Sequence, residues 1–171
     1  IKKLMINNKL KKTNTKFSNY LKKFKIHKTH FPRFNEECGV FGISGSEDAA
    51  ALTALGLHAL QHRGQEGCGI VSYDGNSYHS ERKFGLVGDN FTKKKSLEKL
   101  TGTIAIGHNR YSTTGGETIR NIQPFYADLY GGAISVAHNG NLTNALLLRE
   151  TMVREGAIFQ TTSDTETIVQ L

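Results

Sequence analysis

Four short segments of the chain set polar or charged side chains in a glycine-bearing loop next to an apolar run. They are Cys38-Gly39, His62-Arg63-Gly64-Gln65, His108 to Gly115, and His138 to Asn141. Loops at strand ends are where catalytic and binding groups are usually built. If the four segments meet in the fold, a thiol nucleophile would lie beside guanidinium and amide groups.

Each segment taken alone has an ordinary structural explanation. Cys38 fits a small buried side chain, Arg63 and Arg110 fit surface charges, and Asn139-Gly140 fits a simple turn. A functional interpretation therefore depends on the segments occurring together.

The elements that would position these segments are short strands and a few helices. The pattern of apolar residues and glycines predicts strands at Cys38–Ser44, 68–73, 77–82, 103–108 and 132–138, with a hairpin turn at Asp74-Gly75-Asn76. Helices are predicted from Ser46 to Gly64, from 142 to 155, and from Ser163 onward, where Ser163-Asp164-Thr165-Glu166 has the pattern of a capping box.

The order of these elements indicates the fold class. Strand pairs bracketed by helices, without a repeating strand-helix-strand alternation, favour antiparallel sheets covered by helices over a dinucleotide-binding fold. A chain of 171 residues with 37% hydrophobic residues can bury one ordinary core. We therefore expect one globular domain with a tail.

The charge of the chain is divided unevenly. Residues 1–37 hold eleven Lys or Arg against Glu36 and Glu37, a net +9, which leaves −2 for residues 38–171. The Lys- and Asn-rich start is too charged to fold alone, so it is predicted to be a basic, flexible leader. A basic tail is weak evidence for nucleic-acid binding, and we expect no nucleic-acid partner.

The cysteines and the hydropathy limit the cellular setting. Cys38 and Cys68 cannot form a disulfide framework, and Cys68 begins an apolar strand, where it is expected to be structural. No membrane span or secretory signal is recognisable, so a cytoplasmic protein is expected. An organelle transit peptide is the alternative, although the leader contains one arginine, Arg33, and one serine, Ser18.

A metal site is not expected in this part of the chain. His62, His108 and His138 have no acid or cysteine beside them at ligand spacing.

The segments together resemble the glutamine phosphoribosylpyrophosphate amidotransferases. The matching motifs are Glu37-Cys38-Gly39-Val40-Phe41-Gly42, LQHRGQE, GHNRYSTTG, AHNGNL and TTSDTE, in order over residues 36–171. His62-Arg63 and Arg110-Tyr111-Ser112-Thr113 favour this family over the similar glucosamine-phosphate synthases. The resemblance implies an N-terminal class II glutamine amidotransferase domain at 38–171.

The resemblance also implies a fold and a processing step. The fold is α+β, a four-layer αββα N-terminal-nucleophile hydrolase sandwich with two mainly antiparallel sheets. Removal of residues 1–37 as a propeptide would make Cys38 the first residue. A thiol titrates near pH ~8.5 and an α-amino group near ~7.7–8.0, so the freed amine can accept the thiol proton, whereas an amide nitrogen cannot.

Catalytic roles follow from the same resemblance. Cys38 would attack the side-chain amide of glutamine, form a thioester, and release ammonia and glutamate. The Asn139 side-chain amide and the Gly140 backbone N–H would stabilise the oxyanion of the tetrahedral intermediate.

Substrate-binding roles are assigned to five further residues. Arg110 would bind the α-carboxylate of glutamine because its planar fork can donate two parallel hydrogen bonds, with Thr113 adding another. Asp164 would bind the α-ammonium, and Tyr111 would form one wall of the pocket. Arg63 is grouped with these residues and is expected to brace the loop beside the nucleophile.

For the complete enzyme the resemblance implies more than these residues contain. The complete enzyme would make 5-phosphoribosylamine from phosphoribosyl pyrophosphate in the first step of purine synthesis, using a phosphoribosyltransferase domain expected beyond Leu171. A homotetramer and magnesium in that missing part are implied. An iron–sulfur cluster there is left open.

Two alternatives to this function remain open from the sequence. The chain could be the glutaminase domain of another class II amidotransferase. It could also be an unprocessed, non-catalytic fragment, because the peptide bond before Cys38 is intact in the sequence as written.

Overall fold

The computed structural model describes residues 38–92, 94–111 and 118–171, so the predicted leader at 1–37 and Thr113 lie outside it. The strands are β1 Gly39–Ser44, β2 Gly67–Tyr73, β3 Tyr78–Phe84, β4 Ile104–Arg110, β5 Phe125–Leu129 and β6 Gly132–Val136. The helices are α1 Ala49–Ala59, α2 Val87–Phe91, α3 Lys94–Leu97, α4 Ala145–Arg154 and α5 Asp164–Gln170, with short 3-10 helices at Gln61–Arg63 and Ile119–Asn121.

The larger sheet has the strand order β1-β4-β2-β3, and its neighbouring strands are antiparallel. The register pairs Gly39 of β1 and Cys68 of β2 with the same residue, Asn109 of β4. The start of β1, the start of β2 and the end of β4 therefore lie next to one another at the same end of the strands. As a result, the residues that flank Cys38 lie beside those that follow β4.

Helix α1 covers one face of this sheet and forms most of the core with it. Its apolar side chains pack with those of β2 and β4; the buried members are Ala49, Ala50, Ala54, Leu57, Cys68, Ile70 and Ala105. The approach is close at Gly107, where an added Cβ would lie 2.6 Å from Leu57 Cδ1 and 2.8 Å from Thr53 Cγ2. Small residues on both surfaces allow this distance.

The smaller sheet is the antiparallel pair β5–β6, and helix α5 packs against both of its strands and against α4. The segment that leads into β5 crosses close to β2, because a Cβ on Gly69 would lie 2.2 Å from the Gln123 carbonyl oxygen. Two antiparallel sheets with helices packed on each confirm the predicted α+β sandwich.

Several boundaries differ from the sequence-based expectations. Strand β5 and the short helices α2 and α3 were not predicted. Helix α4 begins at Ala145 and not at 142. Leu142 precedes a turn at residues 143 and 144, and its N–H donates to Asp164 Oδ2 at 2.8 Å. The N-cap of α5 is Ser163 as predicted, but Glu166 does not complete a capping box and bonds the backbone of Gln160 and Thr161.

We expect Gly56→Ala to destabilise the fold, although alanine favours a helix over glycine by about 1 kcal/mol. The added Cβ would lie 2.4 Å from the Phe41 ring of β1, and such overpacking costs about 1–3 kcal/mol. The measurement is the free energy of unfolding in urea. Gly131→Ala is the control, because a Cβ there meets nothing within 4 Å. An unchanged or raised stability of Gly56→Ala would contradict this packing.

Candidate active site

Cys38 lies immediately before β1 in an unusual backbone conformation. Its φ is 57°, in the left-handed region, which typically costs a residue other than glycine about 1–2 kcal/mol. Its carbonyl oxygen accepts hydrogen bonds from Arg63 Nε at 2.8 Å and from Asn139 Nδ2 at 3.4 Å. These two bonds come from distant parts of the chain and hold the residue in place.

The sulfur of Cys38 lies beside the backbone that follows β4. The Tyr111 N–H donates to Sγ at 3.5 Å, and Sγ lies 3.6 Å from the Tyr111 carbonyl oxygen, to which the thiol can donate. Cys38 is partly exposed and lines a cavity of about 390 Å³. The thiol is therefore positioned at an accessible site and contacts the residue next to Arg110.

The other cysteine is in a different environment. Cys68 is fully buried in the core, and its thiol lies 3.5 Å from the Gly85 carbonyl oxygen. Burial raises the pKa of the Cys68 thiol to about 12, so it keeps its proton at neutral pH. This agrees with the structural role expected for Cys68 and leaves Cys38 as the candidate nucleophile.

Arg63 reaches Cys38 from a tightly held turn. Gly64 lies against the end of β4, where an added Cβ would be 2.8 Å from the carbonyl carbon and oxygen of Arg110. Both polar atoms of the Gln61 side-chain amide form hydrogen bonds: Nε2 donates to the Gly64 carbonyl, and Oε1 accepts from the Val87 N–H. Arg63 is not among the described residues that line the cavity. Its contact is with the nucleophile residue itself.

The loop after β6 forms one wall of the cavity. It contains Asn139 and Gly140, and it is fixed at both ends by side chains from other elements. The His138 N–H donates to Gln123 Oε1 at 2.7 Å, and the Leu142 N–H donates to Asp164 Oδ2 at 2.8 Å. The amide groups predicted for the oxyanion therefore belong to a constrained loop.

Groups of opposite charge line the same cavity. Arg110, at the end of β4, is 9% exposed and has its Nε 3.6 Å from Glu66 Oε1. Asp164 begins helix α5, and Tyr111, which directly follows β4, is half exposed. A cation and an anion in one cavity suit a ligand that is a free amino acid.

The structure thus brings six of the eight predicted site residues to one cavity; they are Cys38, Arg110, Tyr111, Asn139, Gly140 and Asp164. Arg63 contacts Cys38 from outside it, and Thr113 lies outside the described residues.

Some cavity residues were not predicted from the sequence. Asn121 and Gln123 line it from the segment before β5, and Thr162 lines it from the loop before α5. Asn121 Nδ2 donates to Thr162 Oγ1 at 2.8 Å, and Asn121 Oδ1 accepts from the Thr162 N–H at 3.1 Å. No motif or periodicity marks residues 118–124, so only the fold reveals Asn121 and Gln123. Thr162 lies inside the TTSDTE motif, which could have indicated it.

His108 also lines the cavity and is almost fully buried, with 1% of its surface exposed. The pKa of His108 is lowered to about 4, chiefly because burial disfavours the imidazolium and also because Arg110 is close. The ring is therefore neutral at pH 7.

Over 38–92, 94–111 and 118–171 there is no cluster of three or more His, Cys, Asp or Glu side chains suited to a metal ion. None of the helices in these ranges is long and apolar enough to cross a membrane.

Comparison with known proteins identifies the family. A family model described as a glutamine amidotransferase domain matches residues 108–171. An amidophosphoribosyltransferase of Rhizobium etli is 61% identical over 137 residues, which are 80% of this chain and 28% of that protein. An amidophosphoribosyltransferase of Lacticaseibacillus casei is 51% identical over 143 residues, which are 83% of this chain and 74% of that protein.

The chain belongs to the amidophosphoribosyltransferase family. The fold agrees with this, since the solved glutamine phosphoribosylpyrophosphate amidotransferase of B. subtilis, complexed with ADP and GMP, matches with a TM-score of 0.69 and 45% identity. That match covers 77% of this chain and 28% of the solved chain. The chain thus spans about a quarter of the length of the Rhizobium etli and B. subtilis proteins, and it corresponds to their glutamine amidotransferase domain.

We expect the folded domain to become less stable as the pH falls, because of His108. In the unfolded chain histidine titrates near pH ~6.5, whereas His108 titrates near 4 when folded. Between these values the unfolded state binds a proton that the folded state does not. Stability is therefore retained above pH ~6.5 and decreases by about 3 kcal/mol as the pH falls to 4.

The measurement is the urea unfolding free energy of the wild type and of His108→Asn between pH 7.5 and 4.5. The variant should show a shallower decline with acid over this window, whatever its stability at pH 7.5. Parallel pH profiles would show that His108 is not the group responsible.

Proposed function

We propose that residues 38–171 hydrolyse glutamine, with Cys38 as the N-terminal nucleophile after residues 1–37 are removed. The observation that supports this most is the meeting of Cys38, the Asn139-Gly140 amides, Arg110 and Asp164 around one cavity. These groups come from four distant segments, and each suits one part of a glutamine molecule.

The reaction begins with a proton transfer within one residue. The freed α-amine of Cys38 accepts the thiol proton, and the thiolate adds to the side-chain amide carbon of glutamine. The tetrahedral intermediate collapses when the carbon–nitrogen bond breaks and the leaving nitrogen takes the proton from the ammonium group. Ammonia leaves, and water then attacks the thioester and restores the thiol, which yields glutamate.

The oxyanion of both tetrahedral intermediates needs donors that are already in place. The Asn139 side-chain amide already lies 3.4 Å from the carbonyl oxygen of Cys38, and Gly140 follows it in the same constrained loop. An added Cβ on Gly140 would lie 2.9 Å from His138 Nε2, so glycine also allows the close turn there. These features support the Asn139 amide and the Gly140 N–H as the oxyanion donors.

Recognition of free glutamine requires a partner for each end of the amino acid. Arg110 suits the α-carboxylate, with Thr113 as a second donor, and Asp164 suits the α-ammonium. Tyr111 would close the side of the pocket.

We further propose that the complete protein transfers the ammonia to phosphoribosyl pyrophosphate and forms 5-phosphoribosylamine. The names of the relatives support this, and the acceptor site, with its magnesium, would belong to a phosphoribosyltransferase domain outside these residues. We propose a homotetramer for the complete protein and a cytoplasmic location. A fluorescent protein fused to residues 1–37 tests the location, because accumulation in an organelle would favour a transit peptide.

We expect the expressed chain to lose residues 1–37 and to release ammonia from glutamine. Cys38→Ala should lower this activity at least ~1000-fold, because the nucleophile is removed. Cys68→Ala is the control, and it should keep activity because that thiol is buried in the core. Intact mass and coupled detection of glutamate are the measurements.

Two outcomes would contradict the mechanism. A chain that keeps its leader and has no glutaminase activity would favour the non-catalytic alternative. A chain with a blocked Cys38 nitrogen that hydrolyses glutamine at the full rate would exclude the α-amine as the base.

Substitution of the two arginines should affect different kinetic constants. Arg63→Ala should lower kcat by about 10- to 100-fold with KM within ~3-fold, because this side chain bonds the nucleophile residue. Arg110→Lys should raise KM for glutamine by about 10-fold, because an ammonium cannot bind a carboxylate as a fork. Steady-state kinetics on both variants are the measurement. The reverse pattern would assign substrate binding to Arg63.

A further inference from the structure

The Glu166 side chain has no role in the proposed mechanism. It is nevertheless buried, with 8% of its surface exposed, and both carboxylate oxygens accept hydrogen bonds. Its carboxylate accepts hydrogen bonds from the Gln160 N–H, the Thr161 N–H and the Thr161 hydroxyl, each at 2.7 Å. A buried carboxylate with three short bonds to one stretch of chain fixes that stretch firmly. The stretch is the approach to helix α5.

This arrangement differs from helix capping. In a capping box the glutamate would bond the Ser163 N–H, but that group donates to Thr161 Oγ1 at 3.1 Å. The Thr161 hydroxyl therefore links Glu166 to Ser163. The carboxylate therefore organises the loop at 160–163 and does not cap the N-terminus of helix α5.

The loop held by Glu166 leads directly to the cavity. Thr162, Ser163 and Asp164 line it, and Thr162 is tied to Asn121 by two hydrogen bonds. Asp164 Oδ2 also accepts from the Leu142 N–H at 2.8 Å, a second contact that holds this carboxylate. A shift of the loop would move the anion that faces the ligand.

We propose that Glu166 is a positioning residue that gives the cavity its preference for a ligand with a free α-ammonium group, by fixing Asp164. This inference rests on the proposed glutaminase function. Glu166 does not line the cavity in the described part of the chain, and it acts through the backbone of residues 160–163. Recognition of the ammonium then depends on a bond network behind the ligand site.

The Glu166→Gln substitution tests this with almost no change in shape. A glutamine side chain presents an N–H where a carboxylate oxygen was, so it cannot accept all three hydrogen bonds. The loop would loosen and Asp164 would move relative to the ligand, and small displacements at a site can cost large factors in rate. Glu150→Gln is the matched control, because Glu150 is exposed on helix α4 and makes the same change in charge.

The experiment compares L-glutamine with glutaramate, which has the same side-chain amide and carboxylate but no α-ammonium. For Glu166→Gln we expect kcat/KM for glutamine to fall about 10-fold, mainly through KM, and the value for glutaramate to stay within about 2-fold. Glu150→Gln should match the wild type on both. An equal fall on both substrates would overturn the proposal, because general loosening does not discriminate between them.

A double-mutant cycle checks that the effect passes through Asp164. Asp164→Asn should also reduce the preference for glutamine, and adding Glu166→Gln to it should cause little further loss. Fully additive effects would overturn the proposal. If Glu166→Gln does not fold, Thr161→Val removes one of the three donors and gives a milder form of the same test.

Binding measurements separate this inference from the proposed function. Calorimetric titration of L-glutamine into the Cys38→Ala chain, with and without Glu166→Gln, needs no turnover. A wild-type chain that binds glutamine but does not hydrolyse it would contradict the proposed function and leave Glu166 testable. Equal affinities for glutamine with and without Glu166→Gln, or no binding to either chain, would overturn the present inference.

Discussion

The carbonyl oxygen of Cys38 accepts hydrogen bonds from both sides, and the geometry of the site depends on them. Arg63 Nε comes from the turn after α1, and Asn139 Nδ2 comes from the loop after β6. These two segments belong to different layers of the fold, so one peptide group links them at the nucleophile. The bonds also oppose the strain of the left-handed conformation of Cys38.

This convergence is possible because backbones approach one another closely where side chains are missing. Gly64 lies against the carbonyl of Arg110, and Gly69 lies against the carbonyl of Gln123. A Cβ at either position would displace main-chain atoms, which cannot move away as the end of a flexible side chain can. Gly64 and Gly69 are therefore part of the backbone packing around the site, in addition to any contact with a ligand.

The sequence predicted which residues would come together better than it predicted the elements around them. The motif residues were assigned to one site from their resemblance to the family, and the antiparallel pairing of β1 with β4 brings Cys38 beside Tyr111. Strand β5 was missed because its five residues include Asp128 and do not alternate clearly between buried and exposed. The capping box was predicted from a local pattern, but Glu166 instead accepts from the backbone N–H groups of Gln160 and Thr161, in the loop just before the helix. A four-residue sequence pattern cannot reveal which of several nearby N–H groups a carboxylate will bond.

The charges of the cavity are arranged before any ligand is bound. A nearly buried guanidinium such as Arg110 is costly without an anion nearby, and Glu66 at 3.6 Å offsets part of that cost. The neighbouring His108 would add a second positive charge, but burial lowers its pKa to about 4 and keeps it neutral. With His108 neutral, the cavity presents the guanidinium of Arg110 and the carboxylate of Asp164. A ligand with a carboxylate and an ammonium group can then bind without a rearrangement of the charges, which is the preorganisation that specific recognition of a free amino acid requires.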